Sequence, residues 1–275
     1  MDYRAGVFLP EYRVRASIET ADPRNQISRD EYAWRYGFRS AVVPGISLFA
    51  YMSRSLVEFL NRQWLERGSA EVRFLHPIYH GEEIRVSGMV SALSQNGLIS
   101  MDLQAVNNQG TICGIGIAQL PREIPVPEPT VSDYPAGPQK LRRPISLESL
   151  QVGERLTPIT SEFTWKVHWQ YCQKSIRDHH VLYQSILHPG WITGRASEIL
   201  VVNYDIPAWI DVACRVQNFH VLEEECLIET RGRVYSKFEV GGDHFIVLDL
   251  GVFARSRCLQ SILYTAIFHI APSAA

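Results

Sequence analysis

The sequence predicts an α+β fold in which one unit, a long helix followed by an antiparallel meander, is built twice. Three observations lead there. Prolines crowd into one stretch at mid-chain, matching signals stand in the same order on either side of it, and each half carries one helical pattern among strands.

The prolines come first because they divide the chain. Seven of the 15, at positions 121, 125, 127, 129, 135, 138 and 144, fall in one segment. Proline donates no backbone N–H and favours extended, semi-rigid chain. This segment reads as a linker over 121–146, between an N-terminal domain (1–120) and a C-terminal domain (147–275).

The halves then match in order. The strand expected at Glu11–Arg15 answers one expected at Glu162–Val167, and Arg29-Asp30 with Tyr36 answers Arg177-Asp178 with Tyr183. Pro44-Gly45 precedes a predicted helix over Ile46–Trp64; Pro189-Gly190 precedes a shorter one over Trp191–Val201. Arg73 is matched with Arg215, Gly88 with Gly232, and the turn at Asn96-Gly97 with that at Gly241-Gly242. From the Pro-Gly corners onward the four spacings run from 142 to 145 residues. Several matches in register on both sides of a linker argue for duplication.

Each element has its own reason. Ile46, Phe49, Met52, Leu56, Phe59 and Leu60 recur at helical spacing and form one apolar stripe. Ile84–Leu93 and Leu98–Val106 flank Asn-Gly, a hairpin signal because both residues tolerate positive φ. Asn107–Gly110 turns the chain again into Thr111–Leu120. The second half repeats the meander with Cys226–Val240, Phe245–Ala254 and Ser261–Ile270. A helix that must bury its stripe on a sheet it cannot leave is the arrangement of the hotdog fold, here in tandem.

Composition excludes several function classes. A net charge of −2, with no basic run longer than Arg142-Arg143, gives no attraction for nucleic acid. No stretch approaches the ~18 apolar residues of a membrane span, and Met1–Pro10, with Asp2 and Arg4, lacks the apolar core of a secretory signal. The five cysteines are widely spaced and include no CxxC pair, so neither a disulfide framework nor a metal site is expected. The setting expected is cytoplasmic, without a cofactor.

Residues 24–82 carry a family likeness. Asn25-Gln26-Ile27-Ser28-Arg29-Asp30, Tyr36-Gly37-Phe38, Val42-Val43-Pro44-Gly45, Trp64–Gly68 and Arg73–Gly81 resemble the MaoC-like dehydratases, which include the (R)-specific enoyl-CoA hydratases. The likeness is weaker, mostly architectural, over the second half. It implies a site between the two halves near the start of a central helix, an acyl group carried on CoA or a carrier protein, and addition or removal of water. The family's motif is Asp-x-Asn-x-x-His. Asn25 matches its asparagine, Ser28 stands at its histidine, and Pro23 at its aspartate, with Asp22 one residue away. Serine does not titrate near neutrality and cannot replace imidazole as a general base.

The candidate catalytic residues are therefore Asn25 and Ser28 in the first half, or Asp178, His180 and His188 in the second, where four of the nine histidines lie between 168 and 188. A plain structural alternative makes Ser28 the N-cap of a helix starting at Arg29. Candidate substrate-binding residues are Tyr36, Gly45, His76, Trp169, Tyr183, Gly190 and Trp191. His76 and His80 are placed on one face of a strand by alternation, and Trp165, Trp169 and Trp191 suggest an aromatic-lined pocket for a bulky acyl or polyketide-like substrate. Gly45 and Gly190, at helix starts, could offer N–H groups to an oxyanion. The leading expectation is a lyase of dehydratase type or a diverged eliminating, isomerising or cyclising enzyme, acting as a monomer or homodimer. The alternatives are a silent acyl-binding module or partner subunit, and a thioesterase using a helix carboxylate such as Glu58.

Overall fold

The computed structural model describes residues 3–271. In the first half β1 (Tyr12–Arg15) leads through a loop and the single turn α1 (Asp30–Ala33) to the main helix α2 (Gly45–Leu60) and a short α3 (Arg62–Arg67). Then come β2 (Ser69–Phe74), β3 (Glu83–Leu93), β4 (Ile99–Asn107) and β5 (Ile112–Leu120). Helix α2 is buried nearly all round, and Phe49, Met52, Leu56 and Leu60 are each almost wholly enclosed. It carries the whole apolar stripe but ends at Leu60, short of the Trp64 expected. Asn61 adopts a positive φ of 58° and its side chain accepts the Arg62 N–H, which ends one helix and caps the next.

The second half repeats the plan with a different entrance. After a two-residue β6 (Arg143–Pro144), β7 (Ile159–Phe163) runs into α4 (Trp165–Gln170), then α5 (Pro189–Thr193) and α6 (Arg195–Asn203). A short β8 (Tyr204–Asp205) pairs with β6, and β9 (Ile210–Asn218), β10 (Cys226–Val240), β11 (Asp243–Ala254) and β12 (Arg257–His269) complete the meander. The strand expected through Val167 is thus helical from Trp165 onward. Thr164 accepts the Val167 N–H at 3.3 Å, an N-cap that turns the chain out of extended geometry.

All but β6 and β8 form one ten-stranded antiparallel sheet in the order β1-β3-β4-β5-β2-β9-β12-β11-β10-β7. Read outward from the β2–β9 seam, the two sides are the same sequence of elements. The register repeats too. Gly88 lies opposite Leu103 and Gly232 opposite Leu250, and a methyl on either glycine would strike that leucine and the carbonyl of the preceding aspartate. One matched pair needs correcting. At the seam Glu71 lies opposite Arg215 and ion-pairs with it, while Arg73 lies opposite Ala213. Traced inward from the Gly88–Leu103 and Gly232–Leu250 pairs, Asp102, Ile117 and Glu71 answer Asp249, Leu263 and Arg215. Arg215 is therefore the counterpart of Glu71, two residues from the matching with Arg73.

The proline-rich segment does not hang free. Gly137 donates its N–H to the Leu156 carbonyl, and Tyr134 meets the Phe253 ring edge-on at 5.9 Å while donating its hydroxyl to Asp249 at 3.0 Å. It straps the outer face of the second half. The helices lie on the opposite face, where α2 packs against α5 and one apolar core runs through both halves. No helix among the described residues is long and apolar enough to cross a membrane.

Candidate functional site

The loop expected to carry chemistry in the first half has its polar groups committed to the backbone. Asn25 Nδ2 donates to the Trp209 carbonyl at 3.0 Å and its Oδ1 accepts the Trp209 N–H at 3.1 Å. Ser28 Oγ donates to the Val42 carbonyl at 2.9 Å. Ser28 lies in a 3₁₀ turn, and Arg29, not Ser28, occupies the cap position before α1. Asp22 is held in a double hydrogen bond by Arg24, which outweighs burial and keeps its carboxyl below the usual range. Tyr36 donates to Gln26 Oε1 at 2.8 Å in a small satellite cluster with Ile27 and Val42.

The second-half candidates do gather, together with two residues from α2. Asp178 and His188 are fully buried, with His188 Nε2 3.4 Å from Asp178 Oδ2. Arg54 Nη1 donates to Asp178 Oδ1 at 2.9 Å and its Nη2 to Glu58 at 2.7 Å; His180 Nε2 lies 3.6 Å from Glu58. Burial would raise the Asp178 carboxyl. The His188 contact, Arg54 and the His180 N–H outweigh it and hold the group below its ordinary range. The Gly190 N–H donates to His188 Nδ1 at 2.9 Å, so that nitrogen carries no proton and Nε2 carries it toward Asp178. Both ring nitrogens are occupied, and His188 is walled in by Tyr183, whose ring centroid is 4.2 Å away. His180 caps a 3₁₀ turn, its Nδ1 accepting the Leu182 N–H at 3.2 Å. The group reads as a buried polar joint between the halves.

Space for a ligand lies elsewhere, at the start of α2. Two cavities adjoin there and share Asn25, Pro44 and Trp209. One, of about 390 Å³, is polar: Ser47, Tyr171, Arg195 and Glu198 line it, and Gly190 and Trp191 form part of its wall. Arg195 stacks over Trp191 at 4.0 Å and ion-pairs with Glu198. The other, of about 300 Å³, is mostly apolar, walled by Leu48, Phe74, Ile78, Phe245 and Ile267, with Ser28, His76 and Asp211 among its few polar groups.

Two of those polar groups are chemically distinctive. Strand β2 ends at Phe74, so His76 lies on irregular chain and not on the strand from which alternation would place it. Its Nδ1 is 2.9 Å from the Ile112 carbonyl. A carbonyl can only accept, so Nδ1 donates, and in the neutral ring the lone pair lies on Nε2, which meets no partner among the described residues; the side chain is exposed. Asp211, on β9, faces the N-terminus of α2. It accepts the Ile46 N–H at 3.2 Å and the Tyr264 hydroxyl, yet burial dominates and raises its carboxyl above the ordinary value. Asp211 thus occupies the helix start at which Gly45 was expected to hold an oxyanion. A Cβ on Gly45 would come within 2.8 Å of the Asp211 Cβ, and one on Gly190 within 2.5 Å of the Ala50 Cβ. These glycines let the halves approach.

That arrangement, two helix-wrapping units sharing a sheet with cavities at their junction, can be set beside solved structures. A protein assigned to the MaoC domain dehydratases from Chloroflexus aurantiacus J-10-fl superposes with a TM-score of 0.67 at 12% identity, over 98% of this chain and 96% of that one. A Mycobacterium tuberculosis protein described as having a double hotdog fold gives 0.62 at 12% identity over 96% of both chains.

The fold is a double hotdog.

A thioesterase-assigned protein from Novosphingobium aromaticivorans DSM 12444 shares it more loosely, with a TM-score of 0.54 at 9% identity over 96% of this chain and 99% of that one. No family model matches the sequence, and no curated protein does. At these identities the likeness speaks for the fold alone. Within the double hotdog, Asn25, Ser28, Gly45 and His76 border the apolar cavity, and Gly190 and Trp191 the polar one. Asp178, His180, His188 and Tyr183 form the separate polar joint, while Trp169 stands 59% exposed. Of the tryptophans expected to form an aromatic pocket, Trp191 lines the polar cavity and Trp165 and Trp169 line neither, while Trp209 lines both. Sequence reasoning missed Asp211, although an acid set between two β-branched residues in Ile210-Asp211-Val212 was a signal that could have found it.

Proposed function

We propose that the chain is a lyase of dehydratase type that adds water to, or removes it from, an acyl thioester held in the apolar junction cavity. One observation carries the reading. An imidazole with a free nitrogen, His76, and a carboxyl raised by burial, Asp211, line the same apolar space. In hydration, His76 Nε2 takes a proton from water as the oxygen bonds to the β-carbon of an enoyl group. The π pair moves to the α-carbon, which takes its proton from the Asp211 carboxyl; the imidazolium proton returns to the carboxylate through solvent. General acid–base steps of this kind contribute roughly 10²–10⁴-fold each. The test is a panel of 2-enoyl and 3-hydroxyacyl thioesters with the wild type, His76→Gln and Asp211→Asn. Turnover by wild type alone supports the reading; no turnover of any member defeats it.

Thioester hydrolysis is a second reading, favoured by Glu198, a carboxylate on α6 that lines the adjoining polar cavity with Ser47. The same incubations read it through free thiol. Saturable thioester binding with neither product would leave an acyl-binding module.

A further inference from the structure

The outer face of the sheet is clothed on one half and bare on the other. Over the second half Tyr134 covers Gly251, meets Phe253 and donates to Asp249. Strand register identifies the equivalent place in the first half. Asp249 lies opposite Arg233 and Leu263, as Asp102 lies opposite Met89 and Ile117. Around Asp102 the face is an open groove of about 720 Å³. Its apolar floor is Phe8, Met89, Ile115 and Ile117, of which Phe8 is 77% and Ile117 57% exposed. Asp249 is satisfied by Tyr134 and by Arg233 at 2.7 Å. Among the described residues the Asp102 side chain has neither a hydrogen-bond donor nor an ion-pair partner.

We propose that this groove docks an extended, proline-containing peptide segment that carries a tyrosine. The chemistry fits: an exposed carboxylate with no donor among the described residues, set in an apolar floor, matches a phenol that buries its ring and donates a hydrogen bond. The backbone fits as well. The groove is a sheet face whose ladder bonds are all made within the sheet, so an incoming segment needs no N–H row and proline costs it nothing there. An exposed apolar patch rimmed by charge is the ordinary mark of such a surface. The chain clothes its own second half with a segment of this kind, Thr130–Pro138.

The probe is a synthetic peptide of residues 130–138, titrated into the full-length protein and followed by heteronuclear NMR, beside the same peptide with phenylalanine for tyrosine. Saturable binding with shifts at Met89, Ile115 and Ile117 is expected, weakened about tenfold by the phenylalanine peptide and by Asp102→Asn. Ile117→Lys should abolish it without lowering the melting temperature. Binding that ignores both variants would place the peptide elsewhere and overturn the proposal, as would no saturation at millimolar peptide. So would a wild-type dimer in sedimentation that Ile117→Lys converts to a monomer, since a second copy would then be the occupant.

Discussion

The amide of Asn25 is bonded at both ends to the backbone of Trp209, 184 positions along the chain, at 3.0 and 3.1 Å. The side chain that matches a dehydratase motif therefore fastens one half of the molecule to the other. Asn25→Ala removes two hydrogen bonds and strands a buried N–H and carbonyl, so unfolding free energy should drop by about 2–4 kcal/mol. Urea denaturation measures it. Unchanged stability would mean that the clamp is not formed in solution.

The glycine at the start of α5 is required by space. A methyl at Gly190 would fall 2.5 Å from the Ala50 Cβ and 2.7 Å from the Tyr171 hydroxyl. Overpacking between two helices costs about 1–3 kcal/mol, and Gly190→Ala should lower the denaturation midpoint accordingly. Ala50→Gly in the same chain should restore part of the loss.

His76 and His188 should separate cleanly. His76→Gln is expected to leave the melting temperature in place and to reduce turnover by about 10²-fold or more. His188→Ala breaks a fully buried contact with Asp178 and unseats the α5 cap, at about 3–5 kcal/mol. Should His188→Ala stay folded and lose only turnover, the chemistry would belong to the joint and not to the cavity.

Acid should weaken the fold through His168. Its Nε2 accepts the His188 N–H at 3.0 Å, and burial, reinforced by His188, pushes its pKa down to about 3 from 6.5. Below pH 6.5 the unfolded chain binds a proton there that the folded chain refuses. Stability from this group is thus complete above about 6.5 and falls by up to about 1.4 kcal/mol per pH unit between there and about 3. His168→Gln keeps an acceptor but no titration, and chemical denaturation at pH 7, 6 and 5 should show a shallower decline.

The sequence was most informative where a pattern is local. The α2 stripe, the Asn96-Gly97 hairpin and the paired Pro-Gly corners all depend on neighbours a few residues away, and all are present. The halves' shared register was legible through Gly88 and Gly232 because only a glycine admits the leucine of the next strand. What could not be read was set by contacts across the chain. Asn25 and Ser28 look free in sequence, and only the folded neighbours Trp209 and Val42 show their hydrogen bonds spent. Asp211 sits in an unremarkable strand until the other half's helix start is laid against it.

The seam between β2 and β9 has a consequence for solubility. Because it merges two half-sheets, four would-be margins become two, and these fall to β1 and β7, strands of only four and five residues. A growing fibril needs a long unpaired rim to copy itself onto. Past these short strands irregular chain takes over the cover: Gly6 and Leu9 bond to β3, and Gly153, Glu154 and Leu156 bond to β10.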